Sequence, residues 1–442
     1  MPGFAKHRDI WRIAGPVMLG NFSVPLVGVV DTAVVGHLSD ARYLATVAFG
    51  AATVSLVFFL FGFLRMGTGG LVAQASGAGD ADELGLVSYR ALALGLLLGA
   101  VIALASPGIV AAAAWVSGTQ GEVAALLPDY LYPRLLSAPA ALANFVILGV
   151  LISLERAGLA LLVQLLLNGC NVALDILLVT VLHWDVAGVA IASAVSEILA
   201  CAAGVWVLRR ALHQRSVQRP PLTVLRRAPG WPRLLLVNRD ILIRSACIVG
   251  CFYTLPVLGA RFGETTLAAN GVLMNFFILV SYTLDGFAHA AEVQAGTAYG
   301  ARDRKLLRER VQLGTAWSMA TAVVISAVYA VLGPTALAAL TDLPEVLQTA
   351  ERYLPWLVVS PVLGALAFQM DGVYFGTTHT ATLRNAMLLS CALYAGLLFL
   401  CVPAWQNHGL WFAFSAFMLS RGLFLLARYA SIEQTLPANR AD

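Results

Sequence analysis

The sequence predicts an all-α polytopic membrane protein: twelve transmembrane helices in two parallel six-helix lobes related by pseudo-twofold symmetry. Three observations predict it. The 442 residues are 59% hydrophobic and only 12% charged, with a mean hydropathy of +0.80, whereas soluble domains carry about twice that charged fraction. Apolar runs of roughly 20 residues or more, enough to cross a bilayer, recur along the whole chain. The second half of the chain repeats the first at one fixed shift.

The runs fall at 13–36, 44–75, 85–113, 123–151, 159–182 and 186–211, then at 234–262, 267–299, 306–332, 345–376, 381–403 and 408–432. Several are long for one crossing and imply tilt or extension past the lipid. The basic start, Met1 to Arg12, precedes a run too long for a cleaved signal, so that run is read as the first span.

Charge tests the count. With the N-terminus in the cytoplasm, the inner segments hold Lys6, Arg8, Arg12, Arg90 and Arg156, then Arg209, Arg210, Arg215, Arg219, Arg226, Arg227 and Arg233. Arg302, Arg304, Lys305, Arg308, Arg310, Arg384, Arg428 and Arg440 complete them, against Arg42, Arg261 and Arg352 outside. This asymmetry puts both termini in the cytoplasm and requires an even number of spans. It also assigns the net charge of +4 to inner loops rather than to a nucleic-acid surface. The setting is a cell (inner) membrane.

A shift of 223 residues superimposes Leu44-Ala45 on Leu267-Ala268, Gly77-Ala78 and Asp80 on Gly300-Ala301 and Asp303, Tyr130-Leu131 and Ser137 on Tyr353-Leu354 and Ser360, and Gly149-Val150 on Gly372-Val373. Six spans per copy is even, so both copies enter from the same side, as a parallel repeat. The organisation expected is an N-lobe over 1–211, a basic linker over 212–233 and a C-lobe over 234–442, rocking about a central cleft. The linker reads as a solvated orientation signal.

An ionisable group at mid-membrane costs at least about 2.5–3.5 kcal/mol, so charges inside the runs mark function. Asp31 lies in the first span and Asp175 in the fifth, neither beside a basic residue in sequence. Counting residues from the outer ends places Asp31, Asp175 and Ser193 at similar depth. Asn171 shares a face with Asp175 at i, i+4. Two acids brought together in low dielectric cannot both ionise easily, which suits proton uptake. The same oxygens are hard donors suited to Na+, with Asp31, Asp175 and Asn171 as ligands. The sequence leaves both open.

A secondary polar set comprises Asn144, Asn168, Arg244, Asp285, His289, Glu292 and Asp371. Asp285, His289 and Glu292 recur at i, i+4, i+7 on one helix, with Arg244 placed to pair with Asp285. His289 is the histidine well inside a span; His37, His183 and His408 lie at helix ends. Arg65 reads as a buried partner or a cleft residue. Pro16 and Pro25 favour a bend in the first span. The six cysteines, all in apolar runs, read as packing residues rather than a disulfide frame. No P-loop, HExxH or CxxC appears, which argues against a primary pump, an enzyme and any cofactor.

These residues resemble the multidrug and toxic compound extrusion family, in its DinF-like branch, over roughly residues 8–432. The resemblance is carried by Gly15-Pro16, Val30-Asp31-Thr32 and Val35-Gly36-His37-Leu38, and by Asn168, Asn171-Val-Ala-Leu-Asp175 and Gly188-Val-Ala-Ile-Ala-Ser193. Asn238-Arg239-Asp240-Ile241 with Arg244, Leu284-Asp285-Gly286-Phe287-Ala288 with Glu292, and Asp371-Gly372 extend it. It implies two six-helix lobes and export of small molecules coupled to influx of H+ or Na+. It also implies an N-lobe cation site from the first-span acid, the fifth-span Asn and Asp, and a sixth-span hydroxyl, usually Thr and here Ser193. Pro16 matches the family's first-span proline. The partners expected are a small-molecule substrate and the bilayer, with the monomer as the working unit. The competing readings are a lipid-linked oligosaccharide flippase, disfavoured by the few arginines within helices, and a membrane receptor or enzyme.

Overall fold

The computed structural model describes residues 2–36, 40–117, 122–225, 227 and 230–437; His37, Leu38, Arg226 and Arg440 of the sequence reading lie outside them. The described residues are almost wholly helical. Lipid offers no hydrogen bonds, so each crossing must satisfy its backbone internally, and long runs of Leu, Ala and Val do so as helices.

In order, the helices are α1 (Pro2–Gly36), α2 (Ala41–Leu60), α3 (Phe63–Gly77), α4 (Ala81–Ser117), α5 (Glu122–Leu136), α6 (Ala138–Ser153) and α7 (Ala157–Asp175). A π-helical segment, Ile176–Val181, continues α7 and leads to α8 (Asp185–His213) and the short α9 (Leu222–Leu225). Then follow α10 (Trp231–Gly259) with a 3-10 turn at Ala260–Phe262, α11 (Glu264–Gly300), α12 (Arg304–Ala338), α13 (Pro344–Gly376) and α14 (Thr380–Gln434).

Among the described residues, ten helical stretches are long and apolar enough to cross a membrane, with α2 and α3 counted together as Ala41–Gly77. The pair α5 and α6, bent by 45° at Ser137, makes an eleventh. The twelfth comes from α14. Its 55 residues would reach roughly 80 Å as one helix at about 1.5 Å per residue. The backbone reverses at Gln406, with φ 49° and ψ −126°. A Cβ on Gly409 would meet the Cys401 carbonyl at 2.3 Å, a contact that only a tight turn allows. Two spans therefore lie on either side of Gln406.

The repeat is written in the backbone as well as in the sequence. Gly79, Glu155 and His183 have positive φ, and so do Arg302, Thr378 and Gln406, each 223 positions later. Asp80 caps α4 through the Glu83 amide at 2.9 Å, and Asp303 caps α12 through the Leu306 amide at 2.9 Å. A Cβ on Gly149 would fall 2.6 Å from the Arg65 carbonyl, and one on Gly372 would fall 2.0 Å from the Ala288 carbonyl. Both close approaches need glycine, and both residues of each pair are related by the same shift.

Contacts group the chain into two compact units, one of residues 19–76 and 80–235, the other of residues 1–18, 77–79 and 236–442. The first half of α1 belongs to the second unit. There Lys6 pairs with Glu309 at 2.6 Å, Arg310 with Asp9 at 3.3 Å, and Trp11 stands edge-on to Phe287 and Trp317. The core of this unit includes Phe277, Phe414, Phe417 and Trp411. The Trp411 indole donates to Asn270 at 2.9 Å, and Asn270 and Asn407 exchange two amide bonds.

The linker is fastened rather than simply solvated. The Arg90 guanidinium donates to the carbonyls of Val224, Leu225 and Arg227 at 3.3–3.4 Å. Arg233 donates to Gln74 at 2.7 Å, and Arg215 to the Leu154 carbonyl at 3.0 Å. The arginines that predicted orientation thus also hold the segment against its own unit.

Candidate functional site

Asp31 sits in the C-terminal half of α1, half-buried, and Asp175 is the last residue of α7, fully buried. The helix widens into its π segment immediately after Asp175. Such segments admit an extra residue per turn and recur at functional sites. The two carboxyl groups lie within hydrogen-bonding reach of each other. A carboxyl–carboxyl bond needs a proton on one partner, since ionised carboxylates only accept. Without that proton, Asp31 Oδ1 and both oxygens of Asp175 are buried with no donor.

The amide and hydroxyl close the cluster. Asn171 Nδ2 donates to Ser193 Oγ at 3.0 Å, which leaves Asn171 Oδ1 buried without a partner. One turn earlier, Asn168 donates to Ser23 Oγ at 2.7 Å and accepts from Gln164 at 3.2 Å. The structure thus gathers Asp31, Asp175, Asn171 and Ser193 from three helices, α1, α7 and α8. Pro16 and Pro25 both lie inside α1, which the structure shows as one uninterrupted helix from Pro2 to Gly36.

The sequence reading missed a charged pair next to this cluster. Arg134, in the last turn of α5, donates to Glu197 of α8 at 2.9 Å. The Glu197 carboxylate also accepts from Ser137 Oγ at 2.8 Å, and its backbone carbonyl accepts from Asn144 Nδ2 at 3.0 Å. Arg134 is also within electrostatic reach of Asp31 and Asp175. Arg134 and Glu197 interrupt apolar runs just as Asp31 and Asp175 do, so the same signal marks them.

The second unit carries the other set of polar residues. Asp371 of α13 binds two guanidiniums through one oxygen: Arg244 of α10, and Arg421 of α14 at 2.6 Å. Arg244 thus pairs with Asp371, not with Asp285. Phe375 stacks under Arg244 at 5.3 Å and Phe417 under Arg421 at 5.5 Å. Arg421, buried to 2% exposure, is a second member that the sequence reading missed. His289 faces Glu292 at 3.0 Å and Asp285 at 3.6 Å, so the i, i+4, i+7 helix face does gather its three groups. Cys251 and Cys391 approach to 3.6 Å as free thiols, in line with packing residues.

Comparison with known proteins agrees with this architecture. The MatE family profile matches residues 16–177 and 241–399. The chain is 40% identical over 423 residues to the DNA damage-inducible protein F of Escherichia coli, covering 96% of this chain and 92% of that one. It is 27% identical to the probable multidrug resistance protein NorM of Deinococcus radiodurans, covering 96% and 95%. Among solved structures, an outward-facing multidrug resistance MATE family transporter of the MOP superfamily superimposes with a TM-score of 0.88 at 19% identity, covering 97% and 96%. A MOP superfamily transporter from Pyrococcus furiosus gives 0.87 at 20% identity over the same shares. At that identity the structural matches speak for the fold alone; with the profile and the DinF likeness they establish that the chain belongs to the multidrug and toxic compound extrusion (MATE) family, in its DinF-like branch.

Proposed function

We propose that the protein is a secondary active antiporter. It exports amphipathic, often cationic, compounds by alternating access between lobes 1–211 and 234–442, driven by inward flow of H+ or Na+ bound at Asp31 and Asp175. The observation that carries this reading is the facing pair of carboxyls, Asp175 buried and Asp31 half-buried, of which Asp31 Oδ1 and both Asp175 oxygens are buried with no donor. A static packing role would leave this cost unrelieved, because buried polar groups are normally paired. A proton relieves it by converting one acceptor into a donor. Na+ relieves it through the free oxygens of Asp31, Asp175 and Asn171. Among the described residues no group of three or more His, Cys, Asp or Glu side chains is arranged to hold a metal, so Na+ would depend on neutral oxygens as well. The names of the relatives, multidrug resistance and multidrug export proteins among them, support the substrate class. The inner-loop arginines support cytoplasmic termini in a cell membrane.

The test is transport by purified protein in proteoliposomes loaded with ethidium, an amphipathic cation. The reading expects dye movement when a pH or Na+ gradient is imposed and none after an ionophore collapses it. Dye movement independent of both gradients contradicts the antiport reading.

A further inference from the structure

α10 and the first part of α14 run side by side in the second unit and meet in one register. Asp240 accepts from Thr380 at 3.3 Å, Cys251 faces Cys391, and Thr254 hydrogen-bonds Tyr394. Each of these pairs is separated by 140 positions, so the two helices are parallel and aligned. Arg384 adds an ion pair to Asp240 at 2.7 Å. The backbone of Cys251 is fixed as well: its carbonyl accepts from Thr254 Oγ1 at 2.6 Å and from the Tyr394 hydroxyl at 3.4 Å. Two of the three matched pairs are hydrogen-bonded. The third is a pair of free thiols whose Sγ atoms stand 3.6 Å apart, the contact that can become covalent.

Packing accounts for the burial of these residues but does not require sulfur. At the shift of 223, Cys251 corresponds to Gly28 and Cys391 to Asn168. The first half of the chain builds its copies of the two helices without a thiol at either place. The two cysteines also differ in access: Cys251 is 6% exposed and Cys391 is half-buried. Cys247, one turn before Cys251 on α10, packs against the same core and serves as an internal comparison.

We propose that Cys391 and Cys251 form a redox-active dithiol, which an organic hydroperoxide oxidises to a disulfide that ties α10 to α14. Oxidants of this class partition into membranes, and both helices belong to membrane-spanning stretches. Redox-sensitive cysteines are reachable and stand beside a second thiol that resolves the first product. Here Cys391 is the reachable thiol and Cys251 the resolving one. The Cys391 sulfur attacks the terminal oxygen of ROOH and breaks the O–O bond. The RO fragment leaves with the thiol proton as the alcohol ROH, and Cys391 becomes a sulfenic acid. The Cys251 sulfur then attacks the Cys391 sulfur; hydroxide leaves and takes the Cys251 proton as water. Two electrons pass from the sulfurs to the O–O bond, and the products are one disulfide, one alcohol and one water. A dithiol reductant restores both thiols by exchange through a mixed disulfide. Disulfides inside mesophilic cells are usually transient and catalytic or redox-sensing, and this bond turns a register held by hydrogen bonds into a fixed one.

The experiment treats the reduced full-length protein in liposomes with cumene hydroperoxide. Free thiols are then counted with a maleimide after denaturation, and bonds are mapped by peptide mass spectrometry. Wild type is expected to lose two of its six thiols, with Cys251 and Cys391 joined in one cross-linked peptide, and to regain both with dithiothreitol. Cys247→Ser is expected to form the same cross-link. Cys251→Ser is expected to stop at the sulfenic acid, which dimedone traps on Cys391. In Cys391→Ser, oxidation of Cys251 is expected to be at least tenfold slower than in wild type. Six free thiols after treatment, a bond between other cysteines or between two molecules, or a loss that dithiothreitol does not reverse overturns the proposal. Dimedone absent from Cys391 in Cys251→Ser overturns the assignment of the reachable thiol. Should either serine variant fail to fold, the cross-linked peptide of wild type decides alone: its presence supports the dithiol and its absence overturns it.

Discussion

At Asp371 one carboxylate oxygen receives both Arg244 and Arg421. Removing one partner from a buried ionic group leaves uncompensated charge, at a cost of about 3–5 kcal/mol. Asp371→Leu is therefore expected to lower the thermal unfolding midpoint in detergent sharply. Replacing all three residues by apolar side chains of similar size is expected to cost much less. Equal losses in the two variants would show that the triad's charge balance is not what matters. Gly372 gives a steric counterpart. With a Cβ only 2.0 Å from the Ala288 carbonyl, Gly372→Val forces the helices apart and is expected to cost about 1–3 kcal/mol or more. Charges inside apolar runs singled out Asp31 and Asp175, i, i+4 spacing added Asn171, and counting from the span ends added Ser193. Azimuth was not legible, since most spans are apolar on several sides. Hence Arg244 was assigned to Asp285 when its partner is Asp371, and Arg134 and Glu197 went unrecognised as a pair.

The runs read at 85–113 and 306–332 fall inside α4 (Ala81–Ser117) and α12 (Arg304–Ala338) and stop short of their caps. Asp80 and Asp303 begin α4 and α12 after positive-φ residues, a pattern of turn and cap visible in the letters. Asp303→Ala is expected to lose about 1 kcal/mol of stability, measured by denaturant or thermal unfolding, and Asp80→Ala a similar amount. No loss in either would mean that lipid packing alone sets those ends. The π segment after Asp175 and the bend at Ser137 were not read. The π segment lies in a run that stays apolar, so only tertiary packing reveals it, whereas Pro133 and Pro139 flank the bend at Ser137 and were a signal that the run 123–151 passed over. They lie at the two elements that carry Asp175 and Arg134, where regular geometry yields to the position of a polar group.

For the whole molecule, the repeat fixes the backbone twice and the chemistry once. Positive-φ positions, caps and glycine contacts recur at the same shift. The acids do not: Asp31 maps to Thr254 and Asp175 to Leu398. Thr254 instead hydrogen-bonds Tyr394, the counterpart of Asn171. Of these corresponding positions, those of the N-terminal unit alone carry carboxyls. The central claim is that the coupling ion binds in the N-terminal unit. The direct measurement is gradient-driven ethidium transport in proteoliposomes by Asp31→Asn beside its positional twin Thr254→Val. The account predicts that Asp31→Asn abolishes coupled transport while Thr254→Val retains it; full coupled transport by Asp31→Asn would contradict it.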